Sequence, residues 1–377
     1  MFACLAIRPR ELEGCALRPV PRARCHPRLA IGSYDAQFPE GFDPNYFPGD
    51  VRTFAGAFAA ATATAEAVAP SVEDDELEAL LRTFDFDRST DEEVQHIEDV
   101  VFRDLQKEAA ELTASWLTQG LVQRVLLMQA SLPEALAALL SGKLHAELPG
   151  ALKYSQVGGS RAESATAEEA LRSTMSGVFG EAAVRRAVVS DLIKVLVVDP
   201  AADGLLQPFL FFKGFHALST HRVAHSLWRD GTAASRGAAL MLQSRVAELF
   251  ALDLHPAAQI GNGVMFDHAT GIVIGSTAIV GSDVYMLHGV TLGATGKPTG
   301  GKKRHPTIGS RVVLGAGSTV LGDISVGDGC TVGAAAIVTR DVPDGATVIG
   351  VNKVVERKDV PAEEKSTADD YTWFWSV

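Results

Sequence analysis

Residues 308–338 read Ile308-Gly-Ser-Arg-Val-Val-Leu314-Gly-Ala-Gly-Ser-Thr-Val320-Leu-Gly-Asp-Ile-Ser-Val326-Gly-Asp-Gly-Cys-Thr-Val332-Gly-Ala-Ala-Ala-Ile-Val338. An aliphatic residue recurs at every sixth position, and Gly follows it at 309, 315, 327 and 333. A period of six matches neither the turn of a helix nor the alternation of an ordinary strand. It is the pattern of a left-handed parallel β-helix, in which each hexapeptide forms one side of a triangular coil. The aliphatic side chain points inward and stacks on its copies above and below, and small residues let the chain turn each corner.

The repeat extends upstream. Leu254, Ile260, Phe266 and Ile272 keep one register; after a slip of two residues, Ile274, Val280, Met286 and Leu292 keep a second. Ala294 to Thr307 lacks the repeat. At roughly three hexapeptides per coil, the pattern predicts about four to five coils with one loop thrown out. The sheet edges at the ends of such a stack need a cap, which the upstream helical region supplies on one side.

That region carries the helical period. Ser89-x-x-Glu92 reads as a capping box, and Val94, Ile97, Val101 and Leu105 continue a helix at its spacing. Further helical patterns cover 110–129, 132–146, 166–178, 180–195, 208–228 and 235–250. Pro133 suits a first turn capped by Ser131. Lys153 to Ser164 reads as a loop. The fold class is therefore α + β, an α-helical domain followed by a left-handed parallel β-helix. The expected divisions are 1–70 without stable structure, 71–250 helical, 251–350 coiled and 351–377 a tail.

Composition narrows the function classes. The chain has 377 residues and a formal charge of −12, a balance that opposes non-specific binding to nucleic acid. No apolar run is long enough to span a membrane. Cys4, Cys15, Cys25 and Cys330 form neither a disulfide framework nor a zinc spacing. Residues 1–30 carry Arg8, Arg10, Arg18, Arg22, Arg24 and Arg28 against Glu11 and Glu13. They read as an organelle transit segment, hence a plastid or mitochondrial location, or as an extension without an address in a cytoplasmic protein.

The chemistry-bearing residues sit where the repeat breaks. Acyl transfer to a hydroxyl needs a base and a group to orient it. Asp267-His268 occupies a turn of the repeat. Asp253, about one coil earlier, either fixes the His268 tautomer as in a dyad or caps a turn. Gly293-Ala294-Thr295-Gly296-Lys297 and the basic stretch up to Arg304-His305 offer amides and cations to an anion, or form a solvated loop. Arg304 is a candidate for carboxylate recognition through its planar fork. Asp199, before Pro200, is a turn residue or an acceptor facing the site.

Several longer words carry a resemblance: Pro208-Phe-Leu-Phe-Phe-Lys-Gly-Phe-His-Ala-Leu218, Asp253-Leu-His-Pro-Ala-Ala-Gln-Ile-Gly261, Asp267-His-Ala-Thr-Gly271, Gly289-Val-Thr-Leu-Gly293 and Arg304-His-Pro306. Together they resemble the serine O-acetyltransferase family over about residues 90–350. The resemblance implies transfer of the acetyl group of acetyl-CoA to L-serine, in the first step of cysteine synthesis, through a ternary complex and without an acyl-enzyme. It implies His268 as general base oriented by Asp253, with Asp199 and Asp267 on the substrate ammonium and Arg304 and His305 on its carboxylate. It places CoA in a groove between neighbouring repeat domains, bordered by Gly293–Lys297, Gly315-Ala316 and the small residues around Ala334. A homotrimer or a dimer of trimers is implied, with L-cysteine as feedback inhibitor and O-acetylserine sulfhydrylase as a partner of the C-terminal tail. Cys330 becomes a wall residue, and no metal is expected.

The chain departs from the family pattern at four places. Gly275-Ser276-Thr277 stands where Gly-Glu-Thr is usual. The loop before Arg304 is longer, with Lys303 for an acidic residue. Gly350-Val351-Asn352-Lys353 replaces Gly-x-Pro-Ala, and the tail ends Tyr371-Thr-Trp-Phe-Trp-Ser-Val377 rather than in Ile. Two other readings compete. One is an inactive scaffold that keeps the helical domain and tail. The other is a zinc enzyme of the γ-carbonic-anhydrase kind using His255, His268 and His288.

Overall fold

The computed structural model describes residues 74–145, 166–296 and 303–355. The expectations for residues 1–70, the 153–164 loop, Lys297 and the Tyr371–Val377 end fall outside them. The described helices are α1 (Asp74–Thr83), α2 (Asp91–Glu111), α3 (Trp116–Val122), α4 (Leu132–Leu144), α5 (Thr166–Phe179), α6 (Ala182–Val198), α7 (Leu206–Phe211), α8 (Lys213–Asp230) and α9 (Ala233–Phe250). None is long and apolar enough to cross a membrane.

Local chemistry sets the helix ends. The capping box of α2 is Thr90 with Glu93, one residue later than the Ser89–Glu92 reading. The Glu93 amide donates to Thr90 Oγ1 at 3.2 Å, and the Thr90 amide donates to Glu93 Oε2 at 2.6 Å. Asp91, Glu92 and Glu93 place negative charge on the positive end of the helix dipole. Ser131 caps α4, with Pro133 in its first turn. The pattern over 208–228 is broken at Phe212, which is extended (φ −80°, ψ 109°) between α7 and α8. The break lets the start of α8 press on the strand Met265–Asp267. A Cβ on Gly214 would lie 2.0 Å from the Phe266 carbonyl oxygen, so only Gly fits. Residues 74–83, at the start of the region expected to be helical, form α1, which buries Leu77.

From Asp253 onward the chain winds through three sheets, here A, B and C, visited in that order. Sheet A stacks Leu254, Ile274, Leu292, Val320 and Val338 inward. Sheet B stacks Ile260, Val280, Ile308 and Val326. Sheet C stacks Phe266, Met286, Leu314, Val332 and Val348. All but Ile260 are fully buried, and each contributes about 1.5–3 kcal/mol of apolar transfer. The two-residue slip falls in the corner His268–Ile272, so Ile274 is the partner of Leu254. The strand Lys353–Val355 pairs antiparallel with Thr347–Ile349 and ends the parallel pattern, so the segment assigned to the tail starts with a strand.

Buried ion pairs hold the helices against the coil where sheet B passes to sheet C. Arg222 of α8 donates to both carboxylate oxygens of Asp191 of α6, at 2.7 and 2.8 Å. The same guanidinium donates to the carbonyls of Ile260 (3.3 Å) and Gly261 (2.8 Å), and the Val264 amide donates to Asp191 Oδ1 at 2.9 Å. Lys194, one turn along α6, pairs with Asp283 on the next coil. The outer face of sheet C is covered as well: Val195 and Val198 of α6 pack with Met265, Tyr285 and Val313. The helical region thus reaches the coil at the edge where sheet C turns into sheet A.

Candidate active site

At that C–A edge the corner after Asp267 takes a form most L-residues avoid. His268 (φ 53°) and Ala269 (φ 59°) are both left-handed. The Ala269 amide donates to the Asp267 carbonyl and the Thr270 amide to the His268 carbonyl. The doubled turn lengthens the corner and turns the imidazole outward; its side chain is 67% exposed. Successive αL residues carry strain, which the Gly271 amide bond to the Ala251 carbonyl helps hold.

Six side chains meet there. His268 Nε2 lies 3.9 Å from Asp267 Oδ1. His288, one coil up, meets the His268 ring edge-on, with centroids 5.9 Å apart. Asp267 is buried and accepts a 2.6 Å hydrogen bond from the Tyr285 hydroxyl on Oδ2. Asp199 caps the C-terminus of α6. Burial pushes its carboxyl above the usual range, and the like charge of Asp267 adds to this, against the Ala201 amide bond and the attraction of His268. Lys213, at the start of α8, bonds the Thr270 hydroxyl on the same corner. The structure therefore brings Asp199, Asp267 and His268 together.

A second cluster lies at the A–B edge. Thr277 anchors it: its Oγ1 accepts from the backbone amides of Arg304 (3.0 Å) and His305 (3.1 Å). The His305 ring is fixed in turn, with Nδ1 accepting from the Thr277 amide at 3.1 Å and lying 2.8 Å from its hydroxyl oxygen. Burial lowers the His305 pKa, and the charge of Arg304 lowers it further. The ring lies flat on Gly275, where a Cβ would come 2.0 Å from Nε2. His255 shares this edge; burial lowers its pKa, and Arg304 acts in the same direction against Asp253. The Arg304 side chain is exposed. Despite the longer loop before it, Arg304-His305 is thus held firmly at its backbone.

The two clusters face different edges of sheet A in one chain, with the outward residues Asp253, Val273, Thr291 and Thr319 between them. The Asp253–His268 pair expected from spacing is not closed here. Asp253 Oδ1 instead accepts from Gln243 of α9 at 2.6 Å, and the carboxylate within 4.0 Å of the His268 ring nitrogens is Asp267. The proposed CoA-contact residues divide in the same way. Gly315, Ala316 and Ala334 belong to the C–A edge above His268, where Gly289 and Gly317 also stack. Gly293, Ala294, Thr295 and Gly296 leave sheet A toward the A–B edge.

Cys330 is unsuited to nucleophilic work. It is fully buried, burial pushes its thiol up, and Sγ donates to the Pro343 carbonyl at 2.9 Å. Among the described residues no group of three His, Cys, Asp or Glu side chains is placed to hold a metal ion. His268 and His288 share an edge; His255 is on the other. Sequence reasoning missed Tyr285, Thr277 and Gln243. Outward alternation along the strands marks Tyr285 as surface-facing, and that is the only signal for it.

Comparisons with known proteins bear on the family and the fold. The family model for the serine acetyltransferase N-terminal region matches residues 101–220, and that for the bacterial transferase hexapeptide (six repeats) matches 305–340. A probable serine acetyltransferase 4 of Oryza sativa subsp. japonica is 42% identical over 240 residues, covering 63% of this chain and 70% of that protein. Soybean serine acetyltransferase complexed with serine superposes with a TM-score of 0.60 at 38% identity, over 68% of this chain and 98% of that one. The Brucella abortus strain S19 enzyme in complex with coenzyme A gives 0.59 at 34%, over 68% and 94%. The left-handed β-helix with its helical N-terminal region is the fold of those structures, and this chain belongs to the serine acetyltransferase family.

Proposed function

We propose that this chain transfers the acetyl group of acetyl-CoA to the hydroxyl of L-serine, giving O-acetyl-L-serine and CoA. The observation that carries the proposal is the C–A edge. There an exposed imidazole stands beside two carboxylates, one of them held by a phenol. The carboxylates suit an ammonium group, and the imidazole suits the hydroxyl next to it.

In this mechanism His268 takes the serine hydroxyl proton as the oxygen attacks the thioester carbonyl carbon. The tetrahedral intermediate collapses with cleavage of the C–S bond. The CoA sulfur leaves and receives the proton from His268. Asp253 orients the base from the coil below, once the exposed His268 ring turns toward it. Asp199 and Asp267 hold the ammonium. Arg304 and His305 take the carboxylate, and in one chain they stand at the other edge of sheet A. The reading therefore requires a neighbouring copy to present its A–B edge to this C–A edge, as in a closed threefold ring. The same juxtaposition would bring Gly293–Gly296 of one copy opposite Gly315, Ala316 and Ala334 of the next, and these small residues are the proposed lining for a pantetheine arm. L-Cysteine carries the same ammonium and carboxylate and competes for the site. The Tyr371–Val377 end is the proposed contact for a sulfhydrylase, and residues 1–30 the proposed address for an organelle.

The test is a steady-state thiol-release assay with acetyl-CoA and L-serine, L-homoserine or buffer. The expected result is release that depends on L-serine. Equal release without amino acid, or activity that tracks stoichiometric bound zinc, contradicts it.

A further inference from the structure

The outward column of sheet C next to the site reads Met265, Tyr285, Val313 in successive coils. It lies under α6, packed on Val195 and Val198, and all three residues are buried. An apolar residue would satisfy that environment. Tyr285 instead carries a hydroxyl into it, and a buried hydroxyl needs a polar partner. The partner is Asp267, two residues beyond Met265 on the neighbouring strand, the diagonal position that a long aromatic side chain reaches across a sheet. The bond is short, 2.6 Å, as a phenol-to-carboxylate bond is when the acceptor is charged.

We infer that Tyr285 is a positioning residue of the substrate site: its phenol holds Asp267 Oδ2, so that Oδ1 is presented toward His268 and the incoming ammonium. The inference rests on the serine-acetylating reading above and deepens it. Two carboxyls in one half-buried pocket resist ionising together. Asp199 carries a carboxyl raised by burial and by the charge of Asp267, and the phenol fixes Asp267 in place beside it. Among the described residues, the charged and titratable groups facing Asp267 are Asp199 from the end of α6 and His268 in the corner, with His288 beyond it. Lys213 of α8 stands on the same corner through Thr270.

Tyr285→Phe keeps the ring in its apolar setting and removes the donor. The expected result is a rise of about tenfold in KM for L-serine, the scale of a hydrogen bond to a charged group, with KM for acetyl-CoA unchanged. The loss in kcat/KM falls on L-serine and spares acetyl-CoA, because the phenol holds a carboxylate that only the amino acid meets. Incorporation of 3-fluorotyrosine, a stronger donor of nearly the same shape, lowers KM for L-serine instead. A KM for L-serine unmoved by both residues, or a Phe variant whose loss falls equally on both substrates, overturns the inference. Wild-type protein without L-serine-dependent thiol release overturns instead the functional reading beneath it.

Discussion

The backbone amide of Thr277 donates to Nδ1 of His305 at 3.1 Å, and that bond decides where the His305 proton sits. An amide can only donate, so Nδ1 presents its lone pair, and the neutral ring carries its hydrogen on Nε2. Nε2 rests above Gly275 and is the nitrogen left to meet a carboxylate oxygen. Gly275→Ala would press a methyl group into that nitrogen and displace the ring. Overpacking of this kind costs about 1–3 kcal/mol, so KM for L-serine is expected to rise about tenfold or more. Steady-state kinetics on the variant, assayed well below its melting temperature, checks this; an unchanged KM means the ring does not contact substrate.

In the proposed serine site, Asp199 sets the pH dependence. Its ionised form is the one suited to an ammonium group, and its carboxyl is raised by burial first and by Asp267 as well. Serine affinity is therefore full above the raised pKa and lost as pH falls through it, at a higher pH than for an ordinary aspartate. Asp199→Asn should raise KM for L-serine by about tenfold or more near neutrality and flatten this limb. A wild-type KM that stays flat into the ordinary aspartate range contradicts the assignment.

The buried pair of Asp191 and Arg222 is a structural lock between the helices and the coil. Removing one partner leaves the other charge buried, at a cost of about 3–5 kcal/mol. Arg222→Ala should melt well below wild type, whereas Arg304→Ala, at an exposed side chain, should not. Denaturant unfolding of the two variants measures the difference.

Glu98 of α2 sets a second pH effect, on stability rather than activity. It is buried, with Oε2 3.1 Å from Arg185 Nε, and burial pushes its carboxyl up from 4.5 to about 7 despite that neighbour. The folded state therefore binds a proton that the unfolded state has released. Stability from this group is full below pH 4.5 and is lost as pH rises toward about 7. Glu98→Gln, permanently neutral, should melt several degrees above wild type at pH 8 and close to it at pH 4.5. Equal melting at both pH values would place the Glu98 pKa in the normal range.

Much of this architecture was legible because it follows from periodicity. The inward stacks from Leu254 to Val338 recur at fixed spacing, and Ser131 with Pro133 marks a helix start in any context. The His268 corner was visible as a slip in register. Other features depend on contacts between distant parts of the chain. Nothing near Phe212 signals a helix break; the cause is the press of Gly214 on Phe266, fifty residues downstream. The cap at Thr90 rather than Ser89 turns on which hydroxyl faces the first free amide. The words DHATG and RHP mark residues of the proposed site but not the edge on which each stands. Only the winding order of the three sheets shows that His268 and Arg304 lie apart in one chain. Tyr285 is marked only by its outward place in the strand, since its partner lies on the neighbouring coil.

The division of the site between two edges is the central claim, and mixed assemblies test it most directly. His268→Ala and Arg304→Ala chains are each expected to lose most L-serine-dependent CoA release while remaining folded. Co-expressed in equal amounts and assembled at random, they should recover about a quarter of wild-type activity, because one junction in four then joins an intact His268 to a neighbour's intact Arg304. Activity in the mixture no greater than that of the separate variants would show that each chain builds its site alone, and would contradict the account.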